Sequence, residues 1–376
     1  MQKSKLMSTL ALGTVLSLSA CGGSQAKVDP EIMAALENVV QKCKVDVSGN
    51  TVTECKDNAF KDLRAMFSKN PKEGIPKKDK FEALDTFSTA LKSENKELAV
   101  AASSLLYNEY RTLGTEPDTT KLKPDAAKRM IEAVGQSPQY QAAQSLKAAV
   151  HTAMLTQQSE ALYQMMDNHS YDSIPGLGYP HIMRYGRLDA FPKIKSLADA
   201  EDPKLVSAAF KAPRNMYKPS PEEMAPVCQW AKGYLSDSRD AAYNGAARLM
   251  IKCQGEYIDA LLEEGEKRLK ENNRFTRDDY LVYRDVCFSP VKGLIKEAGF
   301  QAQCKRTAEF LEAAVNNEKV ASRDRGLALF AIYYQRRNAD SMKIMQKYKE
   351  HPDENIRKYA NESIKSLKEV YKIPES

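Results

Sequence analysis

Beyond its first twenty residues the sequence has no apolar run of about 20 residues, the length a helix needs to cross a bilayer. The body of the chain therefore predicts no membrane span. No alternating Val, Ile and Thr run marks a strand, so a sheet-based fold is not expected. No CxxC pair, Cys/His ligand spacing, CxxCH or HExxH occurs, and no nucleophile is paired with a base, so neither a metal or haem site nor hydrolytic chemistry is indicated. Gly176-Leu177-Gly178 lacks the third glycine and preceding strand of a dinucleotide loop, and the stretch from Asp46 to Asn50 lacks the Gly and Glu at the positions a calcium loop needs. The formal charge is only +6, and clustered Lys and Arg of the kind nucleic-acid binders show are missing. These absences give the expectation of no enzyme activity, no cofactor, no metal and no nucleic-acid partner.

What is present begins with size: 376 residues, 42% hydrophobic and 28% charged, enough for one large domain or two ordinary ones. The N-terminus is distinctive. Lys3 and Lys5 form a basic start, Leu6 to Ala20 a short apolar run, and Leu18-Ser19-Ala20-Cys21 closes it with small residues ahead of a cysteine. An ordinary signal peptide or a short membrane helix are the alternatives, but fifteen residues are too few to span comfortably.

Leu18 to Cys21 resembles the lipobox of bacterial lipoproteins. The resemblance implies that residues 1–20 are removed and that Cys21 becomes the mature N-terminus, acylated (palmitate is one such chain) on sulfur and amine. Two or more chains anchor stably where one does not. Gly22 in the second position resembles lipoproteins sent to the outer membrane, on its periplasmic or its surface face. Residues 21–28 form a tether, and the stretch from Gly22 to Lys27 reaches roughly 20 Å at most. Loss of Lys3 and Lys5 takes two from the formal +6.

Export predicts oxidising surroundings, and the remaining six cysteines make an even set. Six cysteines allow fifteen pairings. The sequential one, Cys43 with Cys55, Cys228 with Cys253 and Cys287 with Cys304, is favoured because each pair flanks turn residues: Gly49-Asn50, Ser236 to Ser238, and Pro290 with Gly293. Antiparallel helices joined by a short loop would bring each pair together.

The clearest helical signal is His351 to Leu367. Pro352 suits a turn, Asp353 a cap and Glu354 the positive end of the helix dipole, while Ile356, Tyr359, Ala360, Ile364 and Leu367 fall on one face. This order resembles the second helix of a HEAT repeat, a family of antiparallel helix pairs that stack into solenoids. Comparable starts fall at Asn95, Ser137-Pro138, Asp202-Pro203, Ser238 and Ser322, with one more expected at Thr276, where Asp279 could complete a capping box. HEAT and armadillo units run about 40 to 47 residues, so five or six degenerate pairs would account for most of Phe81 to Tyr371. Asn95 stands in for the turn Asp, and Pro213 is expected to interrupt the helix after Ala209. Alanines such as Ala241, Ala242, Ala246 and Ala247 fit close helix packing.

The fold expected is thus all-α: a HEAT-like α-solenoid with disulfide-stapled hairpins, a non-repetitive helical domain remaining the alternative. Residues 29–80 would form an N-terminal hairpin region, with helices at Asp29 to Val40 and Phe60 to Phe67, and 81–376 the repeat domain. Within it, Met165 to Pro192 reads as an irregular insert, rich in Pro, Gly and Tyr. Tyr179, His181, Arg184, Tyr185 and Arg187 combine rigid aromatic surface with guanidinium donors and are the candidate binding surface. Tyr333, Tyr334, Arg336 and Arg337 form a second such group, read mainly as packing. The function expected is a lipid-anchored, non-catalytic helical scaffold for another envelope protein, a peptide or a polymer. The competing expectation is a small-ligand receptor or enzyme whose pocket the insert forms, with His169, Asp172 and His181 converging.

Overall fold

A computed structural model describes residues 26–68, 73–110, 122–168, 174–287 and 298–374. Cys21 and the leader, His169 and Asp172, and Pro290 and Gly293 lie outside the described residues.

The chain is almost wholly helical. After α1 (Pro30–Lys42) come a ribbon of β1 (Lys44–Asp46) and β2 (Thr51–Thr53), then α2 (Ala59–Ala65). The following helices are α3 (Leu84–Leu91), α4 (Lys96–Tyr110), α5 (Pro124–Gln136), α6 (Gln139–Leu155), α7 (Ser159–Asn168), α8 (Tyr179–Gly186), α9 (Phe191–Leu197) and α10 (Pro203–Arg214). Then come α11 (Pro221–Lys232), α12 (Asp240–Cys253), α13 (Glu256–Asn272), α14 (Arg277–Val286), α15 (Ala298–Asn316), α16 (Ser322–Arg336), α17 (Ala339–Tyr348) and α18 (Glu354–Glu369).

Helices pack in chain order. From α4 to α18 each even-numbered helix lies against the next even-numbered one, giving an unbroken row of eight. The odd-numbered helices cover it, α3 lying against α5 and α5 against α7, and α11 against α13 and α13 against α15. Every extensive helix-to-helix packing among the described residues joins helices no more than three apart along the chain. The cause is amphipathicity: α18 buries Ile356, Ala360, Ile364 and Leu367 against α16 and α17 while its charged residues stay on the other faces. Ala242, Ala246 and Ala247 of α12 are fully buried, and Gly245 lets the Phe210 ring lie on the helix backbone, where an added Cβ would sit 2.5 Å from it.

Most cap signals hold. Asn95, Asp202 and Asp353 each accept backbone N–H groups of the turn that follows. Thr276 and Asp279 form the expected capping box. The Ser137 hydroxyl donates back to Ala133 O at 2.9 Å at the end of α5. Two starts differ. Ser238 lies just before α12 and does not cap it; Asp237 orders that turn by accepting from Arg239 N–H. Ser322 donates to Asp353 Oδ1 at 2.8 Å, tying α16 to the start of α18. Pro213 does not break α10; it lies inside the helix one residue before its end, so the turn it would disrupt by withholding an N–H from Ala209 O is already the last.

All three sequential disulfides form. Cys228–Cys253 staples the α11–α12 hairpin, and Cys287–Cys304 joins the end of α14 to α15. Cys43–Cys55 departs from the expected helical hairpin. It closes the β ribbon, in which Lys44 pairs with Thr53 and Asp46 with Thr51. The two strands are three residues each, too short for an alternating pattern to register. The ribbon and α1 pack on α4, so the N-terminal elements lie against the first helix of the row.

Candidate functional site

The stretch expected to be an irregular insert supplies a rung of the row. Pro180 and Pro192 fall in the first turns of α8 and α9, where proline is tolerated, so they start helices instead of breaking them. Helix α8 packs between α6 and α10.

The five expected surface residues separate accordingly. Tyr179 is 3% exposed, and its hydroxyl donates to Asp167 Oδ1 at 2.8 Å. Burial and that carboxylate push the phenol well above its ordinary range, and the side chain is no surface residue. Arg187 turns away as well: its guanidinium forks onto the Glu223 carboxylate and reaches Tyr217 O, and the pairing holds Glu223 down to about 2. The Tyr185 ring stacks on His151 of α6 with centroids 3.6 Å apart. Beside Tyr185, Arg187 and Asp189 lies a cavity of about 360 Å³, which also contains Tyr163, a hydroxyl pushed up to about 12 mainly by burial.

His181 and Arg184 belong to a different feature. His181 Nδ1 donates to Leu177 O at 2.7 Å. Burial, then the charges of Lys147 on α6, Arg184 on α8 and Lys211 on α10, lower its pKa to about 4, so the ring is neutral at physiological pH. Arg184 Nε is buried without an acceptor among the described residues, and its guanidinium lies 5.7 Å from the Tyr185 ring centre.

The same concentration of cations continues along the even-numbered row. On α10 and α12, Lys252 Nζ donates to the Arg214 carbonyl. Burial, then the Arg248 charge, lowers Arg214, and burial, then the Arg214 charge, lowers Lys252. Arg248 Nη2 meets Asp278 of α14 at 3.1 Å. On α14, Arg284 pairs with Asp285 and lies 5.6 Å from the Tyr280 ring centre and 5.8 Å from that of Tyr334. Arg337, at the end of α16, lies 4.9 Å from the Tyr334 ring centre and 5.2 Å from that of Tyr371. Arginines lie over tyrosine rings on α8, α14 and α16, and Lys147, Lys211 and Lys252 lie on α6, α10 and α12. Tyr333, as expected, is mostly buried, its hydroxyl 2.8 Å from Ser366 Oγ.

Most of this row escaped sequence reading, yet a signal existed. Lys147, His181, Arg214, Arg248 and Arg284 recur roughly every 34 positions, about one helix-pair unit. Composition and local clustering hide such a period, because no two of these residues are neighbours in sequence.

A second concave feature sits where the chain enters the body. A cleft of about 570 Å³ is lined by Lys27 to Glu31, Lys78, Phe81, Asp85, Leu122 to Ala126 and Arg129. Lys27 N–H donates to Asp85 Oδ2 at 2.9 Å and Asp29 N–H to Thr86 Oγ1 at 2.8 Å, which pins this segment to α3. Burial opposes ionisation of Asp85, but the forked Arg129 guanidinium and the Lys27 N–H outweigh it and hold the carboxyl below its usual range. The cleft's buried charges are therefore already paired.

Among the described residues, no group of three or more His, Cys, Asp and Glu is placed to hold a metal ion, and no helix is long and apolar enough to cross a membrane. No protein-family model matches the sequence, and no curated protein matches it either.

Proposed function

We propose that the protein is an exported lipoprotein, held to an envelope membrane by acyl chains on Cys21, in which a HEAT-like stack of helix pairs serves as a non-catalytic binding scaffold. The observation that carries this reading is the unbroken row from α4 to α18, which presents one continuous surface built from a single repeated packing step. Extended surfaces of this kind are the usual binding faces of helical stacks. The order Leu18-Ser19-Ala20-Cys21 supports the anchor. Tethering at Lys27 on α3 would keep the first helices near the lipid and let the row extend from it.

Two measurements test the two halves. Radiolabelled palmitate should enter the wild-type protein and not Cys21→Ala, and the variant should leave the membrane fraction; equal labelling removes the anchor. Photo-crosslinkers placed at Lys211 and Lys252 in intact cells should capture a common partner that the same group at Lys305, on α15, does not. Absence of any adduct above background removes the scaffold.

The cavity of about 360 Å³ beside α8 gives a small-ligand receptor its best footing. Filling it by Gly186→Leu should abolish ligand-induced thermal shifts in a metabolite screen if that reading holds.

A further inference from the structure

The cavity of about 360 Å³ lies where the end of α6, the start of α7 and the end of α8 meet. Part of its wall is apolar, formed by Met154 and Leu155 of α6 and by Leu122 just ahead of α5. The charges that border it do not balance. Arg187 brings no free positive charge, because its guanidinium forks onto Glu223 and reaches Tyr217 O. Asp189 is exposed and has no hydrogen-bond or ion-pair partner among the described residues. Tyr163 senses the imbalance: burial first, then the carboxylates of Glu160 and Asp189, push its hydroxyl up to about 12, with no cation acting against them. Lys193 lies 5.6 Å from the Tyr163 ring centre, but it does not border the cavity and is held by both oxygens of Asp167.

The rim is also held in a backbone conformation that its residues disfavour. Gln157, in the turn between α6 and α7, and Arg187, at the end of α8, have left-handed φ angles of 60° and 46°. Glycine adopts that conformation freely, yet the glycine here stands one residue earlier. Gly186 is there for room, since an added Cβ would lie 2.7 Å from Met154 Sδ. Left-handed residues other than glycine persist where their surroundings fix them, and they gather at ligand sites. Both of these border the same cavity.

We infer that the cavity binds a small organic ammonium ion, its apolar body along Met154, Leu155 and Leu122 and its charged head at Asp189, Tyr163 and Gln157. The inference rests on the small-ligand receptor reading and supplies the ligand's charge. A primary ammonium has three N–H donors and no acceptor, which suits a carboxylate, a phenol oxygen and an amide oxygen bordering one space. An anion would meet Asp189 while the guanidinium beside it is already neutralised. A bare metal cation needs several oxygen ligands together, and no such group occurs among the described residues.

The test titrates the full chain, in dodecyl maltoside at pH 7, by calorimetry with butylammonium, which is protonated there as a lysine side chain is. The matched probes 1-butanol and butyrate share its body and differ in its head. Butylammonium should bind at least tenfold tighter than either. Its affinity should fall at least fivefold in Asp189→Asn and about threefold in Tyr163→Phe, and it should stay within twofold in Glu201→Gln, an acid away from the cavity. Equal affinity for the three probes, or unchanged affinity for butylammonium in Asp189→Asn with its melting curve intact, overturns the inference. Saturable binding of 1-butanol or butyrate without butylammonium overturns it as well, and leaves the receptor reading standing with another ligand. Binding of none of the three also overturns it, while the metabolite screen decides the receptor reading separately.

Discussion

At the scale of single residues, the row is held together by side chains whose ionisation the fold has altered. His181 is neutral in the folded protein down to about pH 4, whereas an unfolded histidine titrates near 6.5. Its contribution is complete above the unfolded value, and stability falls as the pH drops from about 6.5 toward 4, because the unfolded chain gains a proton that the folded one refuses. His181→Gln should flatten that part of a melting-temperature profile against pH; an unchanged slope would show that other groups set it. Gly245 gives a sharper expectation. Gly245→Ala places a methyl against the Phe210 ring and should destabilise by about 1 to 3 kcal/mol in urea unfolding, against the small gain that alanine normally brings to a helix interior.

At the scale of elements, caps and staples decide where helices begin and how pairs stay closed. Asp353 accepts two N–H groups at the start of α18, receives the Ser322 hydroxyl and stands 3.5 Å from Arg325, so it serves both as a cap and as a clasp between α16 and α18. Asp353→Ala should therefore exceed an ordinary cap loss of about 1 kcal/mol and approach 2 kcal/mol. Thr276→Ala, a cap within its own helix pair, makes the comparison. Replacing Cys228 and Cys253 together by serine should lower stability by about 2 to 4 kcal/mol, with exchange of α11 amides rising most. These elements were largely legible in the sequence. Asp202, Asp353, Thr276 and the three sequential cysteine pairs announce local geometry, and local geometry is what neighbouring residues fix. Residues 165–192 misled for a physical reason: Pro180 and Pro192 are breakers within a helix but starters at its first turn, and only packing between α6 and α10 reveals which role each plays.

At the scale of the molecule, the all-α class followed from helical periodicity, but the row of cations did not, since they meet only when one helix pair is laid on the next. Tyr179 and Arg187 looked like surface for the converse reason, as nothing local tells that Asp167 and Glu223 claim them. Near-neighbour packing has consequences of its own. A stack whose units touch only adjacent units loses cooperativity at its ends, so hydrogen exchange should show α17 and α18 opening at lower free energy than α10 to α12. The packing order itself is tested most directly by zero-length carbodiimide crosslinking of the native protein, which joins lysines to carboxylates in contact. Adducts should map to Lys78–Glu31, Lys193–Asp167 and Lys347–Glu312, all within or between neighbouring units. An abundant intramolecular adduct joining α1–α5 to α14–α18 would contradict the stack.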